Sequence, residues 1–334
     1  FAFGMTRRRW RWLLGAFVAA FLWVSGPTNA LAESGQPTGW SLGAATQQVS
    51  VGKVALHYDP VLRDEALWMA TRIPGWWSEI ERALAGDMDD SLRITFVEHA
   101  GGVARATGMP QWVAGVASPS RGEIVIARFG PDGAPTNLEE LLRHEMAHVA
   151  LHRAVGGARV PRWFHEGVAE SFTGAVSLAR AQALAGAVFG AGVKDLDGLE
   201  RDFHGADAVD ASIAYAAARD LVLFMRSQDA HGSQFRQVLG ELRHGHGFES
   251  SFVRGFGLGL HELVRAWRRD LPGRFVWYPL VASGGMPFFL MGPLLFLAWR
   301  RRRRILDASW ARIEVEEARA RAALGMPSAL VGHV

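Results

Sequence analysis

At 334 residues, with 49% of positions hydrophobic and 21% charged, the chain is long enough to bury a real core and too apolar to remain disordered. It contains no cysteine, which excludes disulfides, thiolate metal ligands and a cysteine nucleophile. The formal net charge of +3 is concentrated at the ends: residues 1 to 32 contribute +4 and residues 275 to 334 contribute +8 and −4, leaving −5 on residues 33 to 274, so no basic patch remains for nucleic acid.

In chain order, Arg7, Arg8, Arg9 and Arg11 precede an apolar run from Leu13 to Val24 and then Ala30-Leu31-Ala32, the pattern of an export signal peptide over residues 1 to 32. The apolar run is shorter than the ~20 residues a membrane span prefers, although retention as a signal anchor is the other reading of this segment. Residues 33 to 50, rich in Gly, Ser, Thr and Gln, read as a spacer, with order beginning near Val51. "VGKVALHYDP" reads as a strand, and Val61 to Leu84 as a helix interrupted at Pro74. In "SLRITFVE", Leu92, Ile94 and Phe96 alternate with Arg93 and Thr95, the period of a half-buried strand. "WVAGVASPSRGEIVIARF" reads as two short strands joined by a Ser-Pro-Ser-Arg-Gly turn.

After Asn137 the pattern becomes helical. Asn137 with Glu140 three residues later is a capping-box signature, and Leu138, Leu141, Leu142, Met146 and Val149 supply the apolar face up to Gly156-Gly157. Within this helix, "HEMAH" sets His144 and His148 four apart, so both project from one face, one turn apart, where two imidazoles can bind one zinc. Glu145 is rotated off that direction and can reach a water at the metal without ligating it, as a general base must. A second helix is expected from about Pro161 to Phe172. It carries Glu166 as the candidate third ligand and, one turn later, Glu170, placed to accept the second ring proton of His144 or His148. Gly167 reads as space beside the ligand.

"ASIAYAAARDLVLFMRS", "GSQFRQVLGELRHG" and "LGLHELVRAWRRDL" are helical by periodicity. From Phe275 to Trp299 the chain carries no charge for 25 positions and then meets Arg300 to Arg304, which reads as one membrane span with its C-terminal end in the cytoplasm. Residues 300 to 334 would form a basic stop-transfer segment and short tail, in which Ile305 to Leu324 reads as a solvated or membrane-surface helix or, alternatively, a partner-recruiting one.

"HEMAH" followed by "RWFHEGVAES" resembles the gluzincin zinc metallopeptidases, and most closely their small peptidase MA-like members; the likeness covers roughly Val51 to Leu271. The resemblance implies a gluzincin α+β domain over residues 51 to 271. Its small mixed or antiparallel sheet, with an edge-strand hairpin, would pack on the zinc helix beside a mostly helical C-terminal subdomain. It further implies one zinc ion held by His144, His148 and Glu166, with Glu145 as base, Glu170 supporting the ligands, and a peptide or protein substrate laid along the hairpin. Tyr215 is expected either to steady the oxyanion, as a phenol does in related enzymes, or to be a satisfied core tyrosine. Departures narrow the class: there is no Gly-x-Met-Glu-Asn signature of the aminopeptidase N family and no counterpart of thermolysin's calcium sites, and Ser171-Phe172 stands where the family usually has Tyr.

Together these readings describe a membrane-tethered, extracytoplasmic zinc peptidase, with a non-catalytic peptide-binding module of the same fold as the alternative. His152 is expected to be a helix-end histidine, His165 to point elsewhere on its helix than Glu166 and to line the cleft at most, and His244 and His246 to belong to a loop.

Overall fold

The computed structural model describes residues 40, 47–84, 91–174, 178–203, 207–228, 231–276, 278 and 286–323. The signal segment read over residues 1 to 32 lies outside them. The chain divides into two compact units, Phe1–Phe275 and Val276–Val334.

The described part of the first unit is mostly helical around a small mixed sheet. Strands β1 (Gln47–Val51), β2 (Val54–Tyr58), β3 (Leu92–His99), β4 (Gly115–Ser118) and β5 (Glu123–Phe129) lie in the order β1-β2-β3-β5-β4. The two outer pairs are antiparallel and the two inner pairs parallel, in register at Val54↔Leu92 and Ile94↔Ile124. A hairpin therefore closes each edge. The single strand expected at "VGKVALHYDP" is instead the first hairpin, because Gly52 takes φ +59°, a conformation costly for residues with a Cβ. Its first strand lies within the stretch read as spacer. Gly122, at φ +64°, turns the second hairpin.

Parallel strands need a crossover, and helix α1 (Arg63–Leu84) supplies it between β2 and β3. The break expected at Pro74 does not occur. Pro74 is on the exposed face, while Ile73, Trp76, Trp77 and Ile80 hold the helix down by burial.

Strand β5 is buried on both faces. Ile124 and Ile126 join the main core, whereas Val125 and Ala127 pack with Val103, Val113 and Val116 in a smaller cluster. This second cluster is capped by helix α2 (Ala100–Thr107), which the sequence reading did not foresee. Helix α3 (Leu138–Ala154) packs against β4, β5 and α1. Asn137 caps it, its side chain accepting the Glu140 N–H at 3.3 Å. Gly156 and Gly157, both at positive φ, end it, and α4 (Arg162–Glu170) returns against it. Beyond lie α5 (Leu178–Phe189), α6 (Leu196–Asp202), α7 (Ala208–Ser227), α8 (Ser233–Arg243), α9 (Phe248–Phe256) and α10 (Leu260–Arg274).

In the second unit the structure corrects the sequence reading. Among the described residues no helix is long and apolar enough to cross a membrane. Helix α11 (Met286–Ala323) stays uncharged only as far as Trp299, where Arg300 to Arg304 begin. At ~1.5 Å per residue that portion reaches roughly 20 Å, short of the ~30 Å hydrocarbon core. The expected C-terminal transmembrane helix, and the single-pass localisation with an extracytoplasmic domain and cytoplasmic tail, are therefore overturned.

Candidate metal centre

Helix α3 carries His144 and His148 inward on one face, with 0% and 2% of their surface exposed. Their Nε2 atoms face each other at 3.0 Å, and the rings stand nearly perpendicular. Glu166 arrives from α4, placing Oε2 3.6 Å from His144 Nε2 and 3.9 Å from His148 Nε2. Among the described residues, these three form the one group of His, Asp and Glu side chains whose donor atoms converge closely enough to hold a metal ion.

The donor set fits zinc. Two bonds of ~2.0–2.1 Å meeting near the tetrahedral angle put their donor atoms roughly 3.3 Å apart, between the shortest and longest separations seen here. Both Glu166 oxygens are buried and make no hydrogen bond, a costly state for a carboxylate that a cation would relieve. Burial, with His165, His144 and Arg162 adding, holds His148 well below the usual imidazole range, so it stays in the neutral form a metal needs. For His144 burial acts in the same direction, but Glu166, Glu170 and Glu145 together outweigh it and raise the pKa.

Packing explains how α4 reaches this position. A Cβ on Gly167 would lie 2.5 Å from the Ala218 carbonyl oxygen, so this glycine lets α4 press onto the backbone of α7. That differs from the expected role of leaving space beside the ligand. The N-terminus of α4 is held by Glu200 on α6, whose two oxygens accept the N–H groups of Arg162 and Trp163 at 3.0 Å each.

Glu145 is buried beside His144, outside the donor cluster and under edge strand β4. Burial pushes this carboxyl up to about 7, with His144 opposing and Glu166 reinforcing. The strand presses close: a Cβ on Gly115 would lie 2.6 Å from Leu141 Cδ1 and 3.3 Å from Glu145 Oε1.

Glu170 goes to His144 rather than His148. Its Oε1 lies 3.6 Å from His144 Nδ1, longer than a hydrogen bond, and its other oxygen contacts Arg180 of α5. Tyr215 on α7 is buried and edge-on to Phe203 at 4.8 Å. Burial and the Glu166 charge hold its phenol well above the usual range, partly offset by Arg162.

Sequence reasoning missed two residues. His165, expected to line the cleft at most, stacks on His148 with ring centroids 4.3 Å apart and planes 15° apart. Burial lowers its pKa to about 4, against Glu166. Arg162, never singled out, lies 3.5 Å from Glu166 Oε1 through Nε. The four-residue spacing from Arg162 to Glu166 was the available signal, but an arginine at a helix start ordinarily faces solvent. His152 is half-buried at the end of α3 and outside the donor cluster, and His246 pairs with Glu241 in the loop after α8.

No protein-family model matches the chain, and no curated protein does. Among solved structures, the chain is similar to yeast LTA4 hydrolase, determined in complex with bestatin, at 11% identity and a TM-score of 0.34. The match covers 69% of this chain and 37% of that one, so the chain spans well under half the length of this neighbour.

Proposed function

We propose that residues 51 to 271 form a zinc-dependent peptidase of the gluzincin kind, acting on a peptide or protein. The observation carrying this reading is a buried carboxylate, Glu145, next to a converging His144, His148 and Glu166 set yet outside it, under the edge of a sheet. A zinc ion held by those three side chains would supply a Lewis acid and a water of lowered pKa.

The chain's own residues do the rest. Glu145 takes the proton of the attacking water on its carboxylate and returns it to the leaving amine, as a positioned carboxylate can. Substrate backbone pairs along the open edge of β4, which brings the scissile carbonyl over α3. Tyr215 donates its phenolic hydrogen to the developing oxyanion. Glu170 steadies the far side of the His144 ring.

A non-catalytic module that binds peptides along β4 is the second reading. It is disfavoured by Glu145, since binding alone does not require a desolvated carboxylate beside the ligands. Two measurements on the full chain decide. First, zinc content should be one per chain in wild type and fall by more than about half in His148→Ala and Glu166→Ala; equal content in all three removes the metal site. Second, Glu145→Gln should retain zinc and fold but lose on the order of a hundredfold in turnover on a peptide library. Activity that survives this change overturns the mechanism, and absence of activity in wild type with unchanged peptide binding favours the module.

A further inference from the structure

Away from the metal centre, a cavity of about 550 Å³ opens where the end of α4 meets α1, α7 and the start of α8. Ala83, Phe172, Leu223 and Phe235 form its apolar wall, and Ser171, Ser227, Arg226 and Arg236 its polar one. Glu79 and His231 are the other titratable groups lining it. None of these residues belongs to the donor set of His144, His148 and Glu166. The two places are joined by α4, since Ser171 follows Glu166 by five residues, roughly 7 Å along a helix axis.

Arg226 gives the cavity its character. It is half-buried in the last turn of α7, with its guanidinium carbon 5.0 Å over the Phe172 ring and one N–H donated to Ser171 Oγ at 3.2 Å. Among the described residues no carboxylate pairs with Arg226. The same holds for Arg236, which donates to the His231 carbonyl at 3.0 Å. Burial holds the Arg226 guanidinium below the usual arginine range, with the Glu79 charge opposing. Glu79 is already committed, because both its oxygens accept from Arg143 Nη2 at 2.9 Å. An aromatic face and a neutral hydroxyl thus leave a partly desolvated cation short of counter-charge, which a bound anion would supply. An arginine at a helix end can serve the helix dipole alone, but that role needs neither a cavity nor a second arginine on its wall.

Size and charge narrow the ligand. Cavities of roughly 300–1,000 Å³ hold small molecules. The planar N–H fork of a guanidinium matches a carboxylate. Ser171 and Ser227 commit their hydroxyl hydrogens to the Val168 and Phe224 carbonyls at 2.7 Å each, so an anion here takes its hydrogens from nitrogen. Glu79 on the same wall repels a dianion, which favours a carboxylate over a phosphate. Phe172 and Phe235 offer surface to an apolar body.

We propose that this cavity is a second binding site, separate from the metal centre, for a small carboxylate with an apolar body, its head held by Arg226 and Arg236 and its body against Phe172 and Phe235. A free acid and the C-terminus of a short peptide share this chemistry. The site stands independently of the peptidase reading.

Titration calorimetry on the full chain, supplied with equimolar zinc, tests it with 3-phenylpropionate, the neutral 3-phenylpropionamide, and N-acetylglycylphenylalanine as the peptide probe. The acid should bind saturably and the amide at least about tenfold more weakly. Arg226→Gln should weaken the acid roughly 10- to 100-fold, the worth of a charge-assisted bond. Arg236→Gln, on a different helix, should act in the same direction, and it decides the matter if Arg226→Gln does not fold. His148→Ala should bind the acid unchanged, which separates the cavity from the zinc. Whichever of the free acid and the peptide loses more affinity on arginine substitution identifies the source of the carboxylate. No saturable binding of either, equal binding of acid and amide, indifference to both arginine substitutions, or loss of binding in His148→Ala overturns the proposal.

Discussion

Single atoms decide the geometry of the centre at two glycines. Gly167 lies so near the Ala218 carbonyl oxygen that any Cβ forces α4 away from α7, and backbone cannot yield as a flexible side chain can. Gly167→Ala is therefore expected to cost about 1–3 kcal/mol and to loosen the grip of Glu166 on the metal. Urea midpoints together with zinc dissociation constants check both parts; an unchanged midpoint would mean that the two helices can separate freely. Gly115 differs, because the atoms it would meet belong to the side chains of Leu141 and Glu145. There Gly115→Ala should spare most of the stability and lower turnover by displacing the proposed base.

At the scale of elements, α4 is nine residues long and buried throughout, too short to be stable alone. Its N-terminal N–H groups have their acceptors on another helix, since Glu200 of α6 serves both Arg162 and Trp163. Glu200→Ala removes those acceptors and should cost about 0.5–2 kcal/mol, the range of a lost N-terminal cap, while weakening zinc binding because Glu166 rides on the same helix. Thermal melts with and without added zinc would show this as a larger loss in the zinc-bound protein. Equal losses in both states would mean that the clamp does not reach the metal centre. Short connections matter as well: the left-handed Gly156-Gly157 pair ends α3 and begins the connection that returns α4 against it.

For the first unit as a whole, the proposed metal joins two helices that otherwise meet through the buried Glu166 carboxylate, whose oxygens make no normal hydrogen bond. Anything that binds the native state alone stabilises it by mass action, so zinc at about 100 times its dissociation constant should add roughly 2.7 kcal/mol. Chelation is expected to lower Tm by several degrees in wild type and to leave Tm unmoved in His148→Ala. A chelator that shifts both equally would place the stabilising ion elsewhere. The second unit enters none of these expectations.

That His144 and His148 share one face was legible in the sequence because helical periodicity is local: about four residues make one turn whatever surrounds them, whereas Glu166, on a separate helix, was reached through the resemblance carried by "RWFHEGVAES". Asn137, Gly156-Gly157 and Pro161 punctuated α3 and α4 for the same reason, through backbone preferences that act within a few residues. Contacts between helices were not legible. Whether Glu170 serves His144 or His148, that His165 stacks on His148, and that Arg162 is drawn inward beside Glu166 depend on how closely α4 approaches α3 and α7. The same limit misled the reading of Phe275 to Trp299, where composition counted uncharged positions, while α11 keeps only those from Met286 onward before its arginines. Sequence by itself determined which side chains share a turn; tertiary structure decided which of them face each other, because packing is set by the fit of whole surfaces rather than by spacing along one chain.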